Sequence, residues 1–270
     1  MFTSNPFAAL SASISPAVMQ AYVVVMFLLV IAGTLFDVVH KGSAKYFFQN
    51  MRKSKAKGAK EIGGGELVSI AVQTAVVDVL ASGEFCNPRR RLAHLLGMYG
   101  FVLYVLATAV MVFDPSAGAL WAQLWWLGGL MVCLGGYWFW FFIRVDVAAE
   151  GNSPFRVVKA DLFILSMLAS ATLGLIWAAA GGGVGVLFGL YILATTVLFA
   201  GVPWSKFAHM FFKPAAAFEK RVTRADGTAE NLPTQTRDDP EQQKRHSMEL
   251  LQNAPMDMGL GIKREAPRHY

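Results

Sequence analysis

His40, His94 and His209, three of the five histidines in the 270-residue chain, fall near the ends of long apolar stretches. A neutral imidazole in hydrocarbon is costly unless it has a partner. Facing histidines on neighbouring membrane helices are the usual axial ligands of a buried b-type haem, so the chemistry on offer is iron ligation and electron transfer. His94 lies in Arg91-Leu92-Ala93-His94-Leu95-Leu96-Gly97-Met98-Tyr99-Gly100, with Gly97 one turn beyond it. On a helix the two share nearly one face, and a flat macrocycle needs such a gap to approach the backbone. His209 closes the run Pro203-Trp204-Ser205-Lys206-Phe207-Ala208-His209. The competing reading of either residue is a histidine that reaches the headgroups or bonds a loop carbonyl at a helix end. His40 competes for either ligand position, whereas His246 and His269 lie in a polar tail and carry no expected role.

The elements that would position these residues follow from composition. With 55% hydrophobic and 16% charged residues and a mean hydropathy of +0.44, the chain is too apolar for a soluble domain of its length. Five stretches, near 17–38, 92–113, 120–142, 160–180 and 184–204, approach the roughly 20 residues needed to cross about 30 Å of hydrocarbon. The first lacks a positive leader and a small-residue cleavage site, and a basic segment follows it, so it reads as a retained helix rather than a signal peptide. The fold class expected is all-α, a five-helix transmembrane bundle over 17–213, with an outer segment 1–16 and a cytoplasmic tail 214–270.

Orientation follows from the loops. Lys and Arg crowd 41–91, the connection between the third and fourth spans, and the stretch after the fifth, while 1–16, 114–119 and 181–183 hold neither. Asp114 is the only charge in those three segments. Basic residues near span ends stay cytoplasmic, which puts the N-terminus outside, the C-terminus inside and all three histidines at cytoplasmic depth.

Within the loop, the basic half of 41–91 suits anionic headgroups or an acidic partner. The stretch from Glu66 to Ser82 reads as an interfacial, weakly amphipathic helix with Leu67, Ile70, Ala71, Thr74 and Val77 on one face, although Asp78 interrupts that face. The tail has little to bury and is expected to be disordered apart from a short helix near 241–252. Cys86, in a turn, and Cys133, in mid-span, cannot pair or hold an iron–sulfur cluster, and Cys133 reads as a small packing residue. Trp121, Trp125, Trp126, Trp138 and Trp140 read as interface anchors. No phosphate-binding glycine loop or catalytic constellation occurs, so chemistry on a soluble substrate must take place in another protein.

The segment Val76-Val77-Asp78-Val79-Leu80, Phe85-Cys86, Arg89-Arg90-Arg91 and the His94–Phe101 run resembles the membrane domain of the nitrate reductase gamma-subunit family. Relatives of that family include the C subunit of the quinone-interacting membrane-bound oxidoreductase and the heterodisulfide reductase cytochrome. The run Pro203 to His209 resembles its final-span motif, and the likeness extends over roughly 17–215. Within that superfamily the chain looks most like the membrane anchors of dissimilatory adenylylsulfate reductase. The resemblance implies an inner haem b ligated by His94 and His209. It also implies an outer haem whose ligands would fall on Tyr104 and Tyr191. Tyrosine replaces histidine at both, and Leu80 and Ala81 lie near the family's further, upstream histidine, so at most one haem is expected, on the cytoplasmic side.

The functional expectation is a membrane anchor and electron-transfer subunit in the bacterial inner membrane. It would join a cytoplasmic oxidoreductase, adenylylsulfate reductase by resemblance, to quinone through one haem b. Quinone would react beside the inner haem, between the second, fourth and fifth spans, with Asp161 as a candidate for exchanging its protons and helix capping as the alternative role. A haem-free anchor and a small transporter are the rival readings. A transporter would show broken helices and ionisable groups at mid-membrane, and the chain has none at that depth. Gly128-Gly129 and Gly135-Gly136 read as helix contacts rather than breaks.

Overall fold

Ser15 and Asn87 start two of the long helices. Each side chain accepts from backbone N–H groups of the first turn, Val18 for Ser15 and Arg89 and Arg90 for Asn87, and a proline occupies the first helical position in both. The computed structural model describes residues 2–40, 60–83, 85, 87–144, 155–205, 207 and 209–227, with isolated positions 42, 45, 49 and 52. No strand occurs among them.

Among the described residues seven α-helices carry the fold: α1 (Pro16–Leu35), α2 (Gly64–Gln73), α3 (Pro88–Phe113), α4 (Ala119–Trp138), α5 (Leu162–Ala179), α6 (Val186–Ala200) and α7 (His209–Ala225). Helices α1, α2 and α4 end in π-helical turns, Phe36–His40, Thr74–Leu80 and Phe139–Ile143. Among the described residues four helices, Pro16–His40, Pro88–Phe113, Ala119–Ile143 and Leu162–Ala179, are long and apolar enough to cross a membrane. The helix at the fifth expected span, α6, has 15 residues, about 22 Å of rise. A 3-10 turn, Val202–Trp204, continues it.

Side chains turned outward from these helices are apolar, among them Leu28, Ile31, Val102, Leu106, Leu134 and Leu193. Water would not tolerate so large an apolar surface, but hydrocarbon does. Helices α3 and α4 form the tightest pair because glycine lets their backbones touch. A Cβ on Gly128 would stand 2.6 Å from the Tyr104 amide nitrogen, and one on Gly135 would stand 2.7 Å from the Ala93 carbonyl oxygen. Helix α4 runs unbroken through both glycine pairs, which are contact points. Trp125 and Trp126 are buried, not interface anchors, and the core around them also takes in Phe7, Trp177 and Tyr191.

The N-terminal segment closes one end of the bundle. Asn5 donates to the Met111 carbonyl at 2.9 Å, and Phe7 packs on Trp125 and Trp177. At the opposite end Arg90 donates to the Ile143 carbonyl, and Arg144 pairs with Asp161. Every described Lys or Arg of 60–227 gathers at that second end, so the bundle is polarised.

Helix α7 differs from the sequence expectation, which placed a tail boundary at 214 in what proves to be its second turn. Ala217, Val222 and Thr223 are buried, and the helix packs along the π-turn of α2. A proline at 214 masks the pattern, since Pro usually ends helices rather than sitting inside them. The proposed helix near 241–252 and most of the basic stretch 41–59 lie outside the described residues.

Candidate functional site

His94 occupies the second turn of α3, where the chain entering from α2 packs against one side of it and leaves the residue exposed. Ser82 Oγ lies 3.0 Å from His94 Nδ1, and the Phe85 ring tilts over the imidazole at 4.8 Å. This turn is anchored twice more, as Arg91 Nε donates to the Ala81 carbonyl at 2.8 Å and the Tyr99 hydroxyl to the Leu80 carbonyl at 2.7 Å. With Nδ1 held, Nε2 is the nitrogen left to ligate, the arrangement in which a partner fixes the ring and its tautomer. A Cβ on Gly97 would meet nothing within 4 Å, so space is open one turn from the imidazole. These features fit a haem lying against α3.

His209 opens α7, and its side chain lies outside the described residues. The segment carrying it does approach α3. Phe207 is buried, and its ring sits 6.2 Å from that of Phe101, 5.0 Å from that of Phe163 and 6.1 Å from that of Phe211. Lys213, one turn into α7, is within electrostatic reach of His94. His40 ends the π-turn of α1 and stacks on Phe36 of its own helix, with ring centroids 4.7 Å apart. Among the described residues no group of three or more His, Cys, Asp or Glu side chains could hold a free metal ion.

Asp161 is committed elsewhere. Its carboxylate pairs with Arg144 and accepts from the Val158 N–H at 2.9 Å, which caps the turn leading into α5. Arg144 in turn covers the Trp140 ring at 3.9 Å and donates to the Arg156 carbonyl at 2.7 Å. The capping role weighed from the sequence is the one the geometry displays.

Tyr104 and Tyr191 meet in the interior. Both rings lie against Gly174 of α5, whose missing side chain makes room for them. Tyr104 stacks on Trp125 at 5.0 Å and Tyr191 on Trp177 at 5.6 Å. The four rings pack on one another and offer no imidazole, so these residues do not fit a second bis-histidine haem. Cys133 approaches the Thr172 hydroxyl at 3.5 Å between α4 and α5. Cys86 lies outside the described residues.

Sequence reasoning missed Ser82, which sits twelve positions from its histidine across a turn. It also missed Arg221, which forks onto Asp78 with Nε–Oδ2 and Nη2–Oδ1 separations of 2.6 and 2.9 Å. Asp78 on an otherwise apolar face was the one available signal for the latter. No family model, curated protein or solved structure matches the chain.

Proposed function

We propose that this chain is the membrane anchor and electron-transfer subunit of a cytoplasmic oxidoreductase, linking it to the quinone pool of a bacterial inner membrane. The observation that carries this reading is His94, held through Nδ1 by Ser82 beside the open face of Gly97. Adenylylsulfate reductase is the partner that the sequence resemblance favours. One haem b would be held by His94 and His209 on the cytoplasmic side, and when bound it supplies one-electron transfer at low reorganisation cost.

In this reading α6, extended by Val202–Trp204, is a fifth crossing, the N-terminus is outside and the C-terminus cytoplasmic. The chain's own residues then divide the work. Ser82 orients the imidazole, and Gly97 leaves room on α3. Exposed Arg89, Arg91, Lys213 and Lys220 give the inner end a positive field that would steer an acidic partner. The Arg144–Asp161 pair fixes α4 to α5 beside the site, which leaves the quinone's protons to other groups or to water.

The test is a reduced-minus-oxidised spectrum of the detergent-purified protein with a pyridine haemochrome assay. A b-type signal near one haem per chain is expected, lost in His94→Ala and in His209→Ala and retained in His40→Ala. Full haem in either of the first two variants overturns the ligand assignment. No signal after haem-replete expression leaves a bare docking anchor.

A further inference from the structure

Helix α1 packs only in part against the bundle. Its inward stripe, from Val18 through Tyr22 to Phe27, lines an apolar cavity of about 220 Å³ together with α3 and α6, and Tyr22 bridges to α6 beside it. On α3 the lining runs from Phe101 to Val112 and on α6 from Phe188 to Phe199, each about 17 Å of helix. The void is therefore long, narrow and parallel to the spans. Phe7 and Leu10 of the N-terminal segment close it at the charge-free end. At the other end Gly33 seals α1 to the bundle, with a would-be Cβ only 2.9 Å from Val202. Along its flank it opens outward, since Val18 and Phe27 both line it and are exposed on the apolar surface.

Most polar groups around the void are occupied, the buried Tyr104 hydroxyl being an exception. Tyr22 donates to the Ile192 carbonyl at 3.2 Å and meets Thr196 at 2.9 Å. Thr108 bonds the Tyr104 carbonyl and accepts from Trp125. Ser170 and Thr195 bond each other at 2.8 Å, and Thr195 also donates to the Tyr191 carbonyl. A ligand would find little to hydrogen-bond, and a polar headgroup or charged ring would be desolvated without compensation. Water is equally ill-served, because a buried water needs two to four polar partners.

We propose that this cavity is a binding slot for one extended hydrocarbon chain, either the isoprenoid tail of a quinone or the acyl chain of a phospholipid, entering from the bilayer between α1 and its neighbours. The slot's length suits a linear chain lying along the spans. The inference rests on reading α1, α3 and α6 as membrane helices and is independent of whether haem is bound.

The full-length protein would be reconstituted into phosphatidylcholine vesicles containing either a phospholipid with a diazirine at its acyl end or an isoprenoid quinone with a diazirine in its tail. After irradiation, adducts are mapped by mass spectrometry. Labelling of Met19, Tyr22, Val105 or Ala109 several-fold above that of outward-facing Leu28 and Ile31 is expected, and the productive probe identifies the source of the chain. Ala109→Trp, with Val105→Phe as a second filling variant, should abolish cavity labelling and leave Leu28 and Ile31 labelled. Even labelling of inward and outward residues with both probes, or cavity labelling unchanged in a filled and normally helical variant, overturns the proposal. The haem spectrum reads the proposed function separately, so either idea can fail without the other.

Discussion

Ser82 has a backbone φ of +49° and a side chain almost wholly buried. Such a conformation is uncommon for a residue other than glycine and persists where surrounding contacts impose it. Here the chain turns sharply after α2, and the turn delivers the hydroxyl to His94 Nδ1. If the contact only tidied a loop, its removal would weaken the turn and leave iron chemistry alone. If it orients a ligand, Ser82→Ala should weaken haem retention by about 10–100-fold, the usual cost of losing such a partner. Haem dissociation to apomyoglobin measures this, and the low-spin EPR signal would broaden as the imidazole gains freedom. Unchanged dissociation and an unchanged signal would make Ser82 a structural residue only. His94 and Gly97 were legible in the sequence because a helix converts their spacing directly into a shared face. Ser82 was not, because no spacing rule spans the turn between it and the histidine.

Helices show the same contrast. The four long spans could be read from hydropathy alone, since lipid asks little of a helix beyond length and apolarity. Helix α7 could not, as its buried face mixes Ala217 and Val222 with Glu219 and Thr223 and carries a proline in its second turn. What fixes it is tertiary: Ile70 and Thr74 of α2 bury against it, and Arg221 locks the pair through Asp78, with Gln73 accepting a further bond at 3.2 Å. Of the amphipathic face expected to lie on lipid, Ile70 and Thr74 are thus buried, while Ala71 and Val77 of that face remain exposed along with Val68, Val72, Val76 and Leu80. Asp78 and Arg221 are both less than a third exposed, so charge-assisted bonds of about 1.5–3 kcal/mol are the right scale. Arg221→Ala should release α7 to limited proteolysis at Lys213 and Lys220 without lowering the helicity of the spans. The reciprocal exchange Asp78→Arg with Arg221→Asp should restore protection. Protease resistance in the single variant would show that apolar packing alone holds the helix.

For the whole molecule, the arrangement of charge and the number of crossings are one question. The described cations of 60–227 sit at a single end, and the opposite end offers only Asp114. Basic residues resist translocation, so this polarity supports the proposed insertion with the cationic end inside. Whether the chain begins and finishes on opposite sides depends on parity. Helices α1, α3, α4 and α5 alone return it to the side where it started, and α6 decides the outcome. Its 15 residues give about 22 Å, and the three residues of Val202–Trp204 at about 2 Å each bring the total to roughly 28 Å. That nearly matches the hydrocarbon thickness, and local thinning of the bilayer accommodates the remainder. Single cysteines at exposed positions, Ser11→Cys and Lys220→Cys, in a background lacking Cys86 and Cys133, read this parity directly. A membrane-impermeant maleimide should label the first in intact spheroplasts and the second only after lysis. Labelling of both from one side would mean that α6 does not cross. In that case His209 could not share a membrane face with His94, and the two-histidine site would fall with the fifth span.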